Sequence, residues 1–473
     1  MNSLRLHHDE TPPAPTVAAG DQTLVGLDAV RALAAVAVVV LHACVPYLAH
    51  PMPGLVWSVT DSPSPVVDFV FWGIELVIMP LFLIISGLFA YRTYQRKGEW
   101  ALVRNRFKRL LRPLLFALLV ILPLDLYVWV FSWVCEGIVP PVKLKSLKFD
   151  GDVDRHLWGL GHLWFLHYLF SYIAVFAISV VASKRFKRFA SCKSVSTERV
   201  VAALFIVAAI TIYFRPEVIW GFQHAFMPVA SKWIYNAMFF ALGIVIARSE
   251  FGVDRLRNLH PRWVGVGGCV MVATVLLGIW SLEQNSFPTA ATLSANDAQA
   301  NDAHSADLGA PQFSSASLAS SQFTSNQRAS SGILAMATAA SSMLGSVIIL
   351  SLALRYVVRL SATMKYLAAA SFWVYLVHHP VLGLIHLDLK WLLPNVLPSI
   401  KAVMATILAT AVSLVSYEAF VRTTRLGEWL GMNAINRTPV EHLPVQDQDD
   451  SQHDVLPMPT RTGDPMPPAR RAA

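Results

Sequence analysis

Along most of the chain, apolar runs of about 20 residues, the length that crosses a bilayer as a helix, alternate with short polar stretches. They fall at roughly 24–46, 66–90, 112–134, 158–182, 200–219, 232–249, 262–281, 333–354, 366–387 and 398–421. This pattern predicts an all-α polytopic membrane protein with about ten transmembrane helices. The fifth and sixth runs are the weakest, because Arg215, Pro216 and Glu217 clip one and the other is short. Basic residues cluster at 92–112, 184–193, 248–262, 355–365 and 422–425, between every second pair of runs. The opposite connections are nearly free of Lys and Arg; in 135–157, Lys143, Lys145 and Lys148 are offset by Glu136, Asp150, Asp152 and Asp154. By the positive-inside rule this alternation places both termini in the cytoplasm.

Three regions fall outside the pattern. Residues 1–23 are polar and Pro-bearing and predict a disordered cytoplasmic tail. The stretch lacks a basic start and no small-residue cleavage site follows, so 24–46 is expected to remain as the first span. Within the membrane domain, 24–430, the Ala/Ser/Gln/Asn-rich stretch 283–332 predicts a low-complexity external insert. Residues 431–473 predict a second disordered cytoplasmic tail.

Composition agrees with a membrane protein: 55% of residues are hydrophobic and 14% charged, against roughly 25% charged in a soluble domain. The net charge of +8 lies in the short clusters described above, so no nucleic-acid partner is expected. Cys44, Cys135, Cys192 and Cys269 are too dispersed for a disulfide framework or a zinc motif.

Polar residues inside the apolar runs are the candidates for chemistry, since ionisable groups there are costly and usually face a cavity or bundle interior. In GLDAVRALAAVAVVVLHACVPYL (26–48), Arg31 and His42 share one helix face, about 16 Å apart along the axis. MPLFLIISGLFAY (79–91) carries Ser86 and Gly87, with Glu75 deeper in the same run. RNRFKRLLRPLLF (104–116) is a dense basic run, suited to anchoring at the interface or to binding an anion. GHLWFLHYLF (161–170) holds His162, Trp164, His167 and Tyr168; an interfacial aromatic belt accounts for the Trp and Tyr but not for two histidines. ASFWVYLVHHPVL (370–382) places Tyr375, His378 and His379 ahead of Pro380, with His378 at a depth similar to that of His42. No nucleophile-elbow motif appears. His378 and His379 diverge by about 100° on a helix, so no metal is expected. A buried histidine acting as general base on a hydroxyl remains, above an Arg face suited to an anionic donor. Together these describe acyl transfer across a membrane.

The ordered set LDAVRA with R-x10-H at Arg31 to His42, MPLFLIISGLFAY, RFKRLLRP, GHLWFL, ASFWVYLVHHP and, more weakly, SYEAF (416–420) resembles the acyltransferase 3 family of integral membrane acyltransferases, over residues 24–425. The resemblance implies transfer of an acyl group, succinyl in the leading reading, from cytoplasmic acyl-CoA to a hydroxyl of a periplasmic glucan or other cell-surface glycan. It implies a multi-pass protein of the bacterial inner membrane, with acyl-CoA as substrate and no bound cofactor. His42 would be the catalytic base and Arg31 a residue for donor binding or helix placement. Arg106 and Arg109 would contact donor phosphates with Ser86 on the donor side, while His162, Trp164, Tyr375 and His378 would line the central cavity. The same motifs would serve O-acetylation of an exopolysaccharide or lipopolysaccharide. A transporter is the rival from another class, but no inverted repeat or paired broken spans support it. Glu75 and the insert depart from the family pattern.

Overall fold

The computed structural model describes residues 19–146, 149, 158–185, 196–249, 252–284 and 325–432. Most of the expected insert, the segments 1–18 and 433–473, and Lys187, Arg188 and Lys193 lie outside the described residues. The principal helices are α1 (Ala19–Cys44), α2 (Pro65–Arg106), α3 (Leu122–Cys135), α4 (Trp164–Arg185), α5 (Thr197–Phe214), α6 (Ala230–Arg248), α7 (Arg262–Gln284), α8 (Ser325–Tyr356), α9 (Ala362–Leu392) and α10 (Pro398–Tyr417).

Among the described residues nine helices are long and apolar enough to cross a membrane. The ten expected apolar runs map onto these nine, because one helix, Pro65–Cys135, takes in two of those runs over 71 residues, while the helix of the fifth run is cut short at Phe214. At about 1.5 Å per residue it would extend roughly 100 Å, far beyond the ~30 Å of hydrocarbon. It breaks at Gly98, whose φ of 76° and ψ of 175° belong to backbone that essentially only glycine adopts. Between α2 and α3 the helix widens into π turns at Phe107–Leu111 and Ala117–Ile121. Each ends two residues before a proline, Pro113 or Pro123, and a proline ring crowds the carbonyl four residues back.

Two expected boundaries move. Helix α1 begins at Ala19, inside the expected N-terminal tail, and α8 begins at Ser325, inside the expected insert. Adding polar residues to an established helix is far cheaper than nucleating one, so each span extends past its apolar limit.

Burial orders the helices. In α1 and α9 67% of the most apolar window is buried, against 17% in α5; the first two form the centre and α5 the periphery. Helices α2 and α6 cross where a side chain at Gly87 would strike the Phe240 carbonyl and one at Gly243 would strike the Ile84 carbonyl. The two glycines thus let the backbones meet. Over the end of the bundle nearest His42, residues 48–64 are pinned by two acids, the buried Asp68 and the partly buried Asp61. Asp68 accepts from the Ala49 backbone N–H at 2.8 Å and pairs with His50 Nδ1 at 2.7 Å, and Asp61 pairs with Lys401 at 2.7 Å.

Candidate active site

On α1 and α9 the two imidazoles expected at one depth meet directly, His42 Nδ1 lying 3.0 Å from His378 Nε2. Their hydrogen bonds assign the tautomers. His378 Nδ1 lies 3.0 Å from the Val374 carbonyl, a group that can only accept, so Nδ1 carries the proton and Nε2 is bare. His42 Nδ1–H then donates to that nitrogen, sharing its proton with the Val38 carbonyl at 3.0 Å. What remains is a lone pair on His42 Nε2.

His42 lines a cavity of about 90 Å³ together with Asp125, His162, Trp164, Tyr375 and His379. His378 does not line it; it stands behind His42 as a fixed hydrogen-bond acceptor. Next to His42, with ring centroids 5.2 Å apart, lies His379. The Asp125 carboxylate on α3 accepts its Nδ1–H at 2.8 Å. The ring is held between Trp129 and His162, at 5.6 and 4.6 Å. Trp57, from the covering loop, lies parallel to His42 at 6.0 Å and edge-on to His379 at 4.6 Å. It is tied down by a bond from its Nε1–H to His386 and by one that its carbonyl accepts from Trp133.

The site also depends on the proline of the HHP triplet. Pro380 has no N–H, which leaves the carbonyl four residues earlier, that of Leu376, without its helical partner. His162 Nε2–H fills the vacancy at 3.1 Å, and His162 Nδ1 is left as a buried lone pair with no hydrogen-bond partner. Tyr375 locks the same turn by donating its hydroxyl proton to the His162 carbonyl.

Asp125, His162 and His379 place one ligand-type atom each within 4.8 Å of one another, a grouping that no spacing along the chain reveals because three elements supply it. The two imidazole planes are 14° from parallel, so their in-plane lone pairs run side by side instead of converging on a point, and the carboxylate is already engaged. This arrangement is a carboxylate–imidazole pair with a stacked neighbour.

The donor-side candidates lie toward the opposite end of α1. Arg31 is 41% exposed and bonds Asp28 at 3.0 Å. Arg106 feels both Arg109 and Arg31 electrostatically, and its Nε is buried without a partner. Arg109 is exposed. Ser86 sits beside Gly87 at the α2–α6 crossing and does not line the cavity. Sequence reasoning passed over Asp125 and Lys232, which both reach the cavity wall. The signal was there for Asp125, a lone carboxylate in an apolar run; Lys232 stands near the start of its run and reads as an interfacial residue.

No curated protein and no solved structure matches the chain. A family model described as an acyltransferase domain, acyltransferase 3, matches residues 24–418. With that match across the helical bundle and its cavity, the chain belongs to the acyltransferase 3 family and is a membrane acyltransferase for groups other than aminoacyl groups.

Proposed function

We propose that the protein moves an acyl group from cytoplasmic acyl-CoA to a hydroxyl of a periplasmic glucan or other cell-surface glycan, from a site in the bacterial inner membrane. The observation that supports this most is the oriented His42, whose bare Nε2 belongs to a cavity wall inside the bundle. In the reaction the acceptor hydroxyl gives its proton to His42 Nε2 and its oxygen attacks the thioester carbonyl. The tetrahedral intermediate then collapses with cleavage of the C–S bond, and the departing thiolate takes the proton back from His42. While His42 is doubly protonated, its Nδ1–H stays on His378 and Val38. His379, fixed by Asp125, offers a second oriented imidazole beside the reacting groups. The group of Arg31, Arg106 and Arg109 suits the phosphates of coenzyme A, since guanidinium forks match phosphate oxygens.

Succinyl is the acyl group in the leading reading, on the similarity of the motifs to those of glucans biosynthesis protein C, a periplasmic glucan succinyltransferase; acetyl transfer would use the same residues. The test incubates purified protein with succinyl-CoA or acetyl-CoA and a glucan extract. Wild type is expected to release free CoA and His42→Ala to lose at least about 10²-fold in rate. Equal turnover in both would reject His42 as the base. Arg31→Ala is expected to raise the KM for donor more than that for acceptor, and the reverse would undo the donor-side assignment.

A further inference from the structure

The cavity wall carries a second charged constellation, separate from the histidines. Lys232, near the start of α6, is 6% exposed. Its Nζ donates to the Gln223 backbone carbonyl at 2.8 Å and lies 3.8 Å from the centre of the Trp164 ring. An ammonium has three N–H directions; the carbonyl takes one and the ring face a second, which leaves one. Glu75 on α2 lines the same cavity. The two residues interact electrostatically without closing into a direct ion pair.

That open geometry is not how this chain uses such pairs for structure. Lys401 with Asp61, and Lys390 with Glu136, each close into a direct bridge. Buried charges are costly when left apart, so a pair that only held helices together would close likewise. A carboxylate at Glu75 offsets the charge of an ammonium at Lys232. An anion drawn to the ammonium would also meet the carboxylate on the same cavity wall, which repels it. A donor beside an acceptor instead matches a hydroxyl, which accepts and donates at once. Position agrees with this reading: Lys232, Trp164 and the cavity-lining Phe222 and His224 all lie toward the bundle end marked by His42, away from the arginines.

We propose that Glu75 and Lys232 form the acceptor subsite and read hydroxyls of an uncharged, polyhydroxylated ligand, a neutral sugar, presenting one of its hydroxyls to His42. This rests on the cavity being the site of transfer. The test uses the full chain in detergent or nanodiscs, with a linear gluco-oligosaccharide as acceptor and its glucuronate counterpart as the charged control. Lys232→Met and the isosteric Glu75→Gln are each expected to raise the acceptor KM by about tenfold or more, the loss of one hydrogen bond to a charged group, with the KM for acyl-CoA within about twofold of wild type. Selectivity between succinyl-CoA and acetyl-CoA is expected to stay unchanged. If Lys232→Met shifts that selectivity and leaves the acceptor KM alone, the residue reads the acyl carboxylate and the proposal falls. Tighter use of the glucuronate than of the neutral sugar would overturn it as well. Direct calorimetric titration separates this idea from the reaction itself. Folded wild type that releases no CoA yet binds the neutral oligosaccharide, with binding lost in Glu75→Gln, would sink the transfer reading and keep the subsite; folded wild type that turns over other acceptors but does not bind the oligosaccharide would do the opposite.

Discussion

Asp125 accepts the Nδ1–H of His379, and that bond decides which nitrogen of the ring is bare. An amide in its place can turn its NH2 toward Nδ1 and invert the tautomer while conserving shape. Asp125→Asn is therefore expected to lower kcat by about 10² or more, with the KM for acyl-CoA unchanged, in steady-state assays on purified protein. An unchanged kcat would show that His379 has no part in the proton transfers. At this scale the sequence was readable where a partner lies on the same helix, or where two helices each carry a histidine at a matching depth. Arg31, His42 and His378 could be selected in that way. Asp125 could not be paired with His379, because the two are 254 positions apart and helical periodicity says nothing about which helices touch.

Helices α2 and α6 owe their close crossing to what Gly87 and Gly243 lack. A valine at Gly87 would have to displace backbone, the least compliant neighbour available. Gly87→Val is expected to destabilise the fold by about 1–3 kcal/mol, the usual cost of overpacking, seen as a lower unfolding midpoint in detergent. An unaltered midpoint would mean that the helices can separate freely. Element type and number were legible because 20-residue apolar runs have few alternatives in lipid. The break at Gly98 and the π turns before Pro113 and Pro123 were less so, since hydropathy does not register backbone geometry. Helix ends were misplaced at Ala19 and Ser325 for a related reason: elongation ignores the hydrophobic boundary.

Across the whole molecule, the covering loop is fastened to α10 by Asp61 and Lys401. Burial works against ionisation of Asp61, but the hydrogen bond from Lys401 and those from Ser62 prevail and hold its carboxyl below the usual value, which is about 4. A depressed carboxylate stabilises the fold above its unfolded value, and that contribution is lost as pH falls through the folded one. Wild type is therefore expected to lose thermal stability between pH 5 and pH 3, in steps of about one unit, by more than Asp61→Asn does. Parallel loss in both would remove the loop anchor from the account. The family and the bundle were legible at this scale, as motifs spread from the first span to the last. The cover over the cavity was not, because Trp57 reaches the histidines from a loop with no periodic pattern.

The backbone of α9 bears on how the pocket behaves as it empties of water. Pro380 supplies no N–H however wet the pocket is, so the Leu376 carbonyl stays open to the His162 ring, which it holds at 3.1 Å. Substrate arriving there meets a ring already fixed by that bond, and desolvation sharpens the encounter without first having to reorient it.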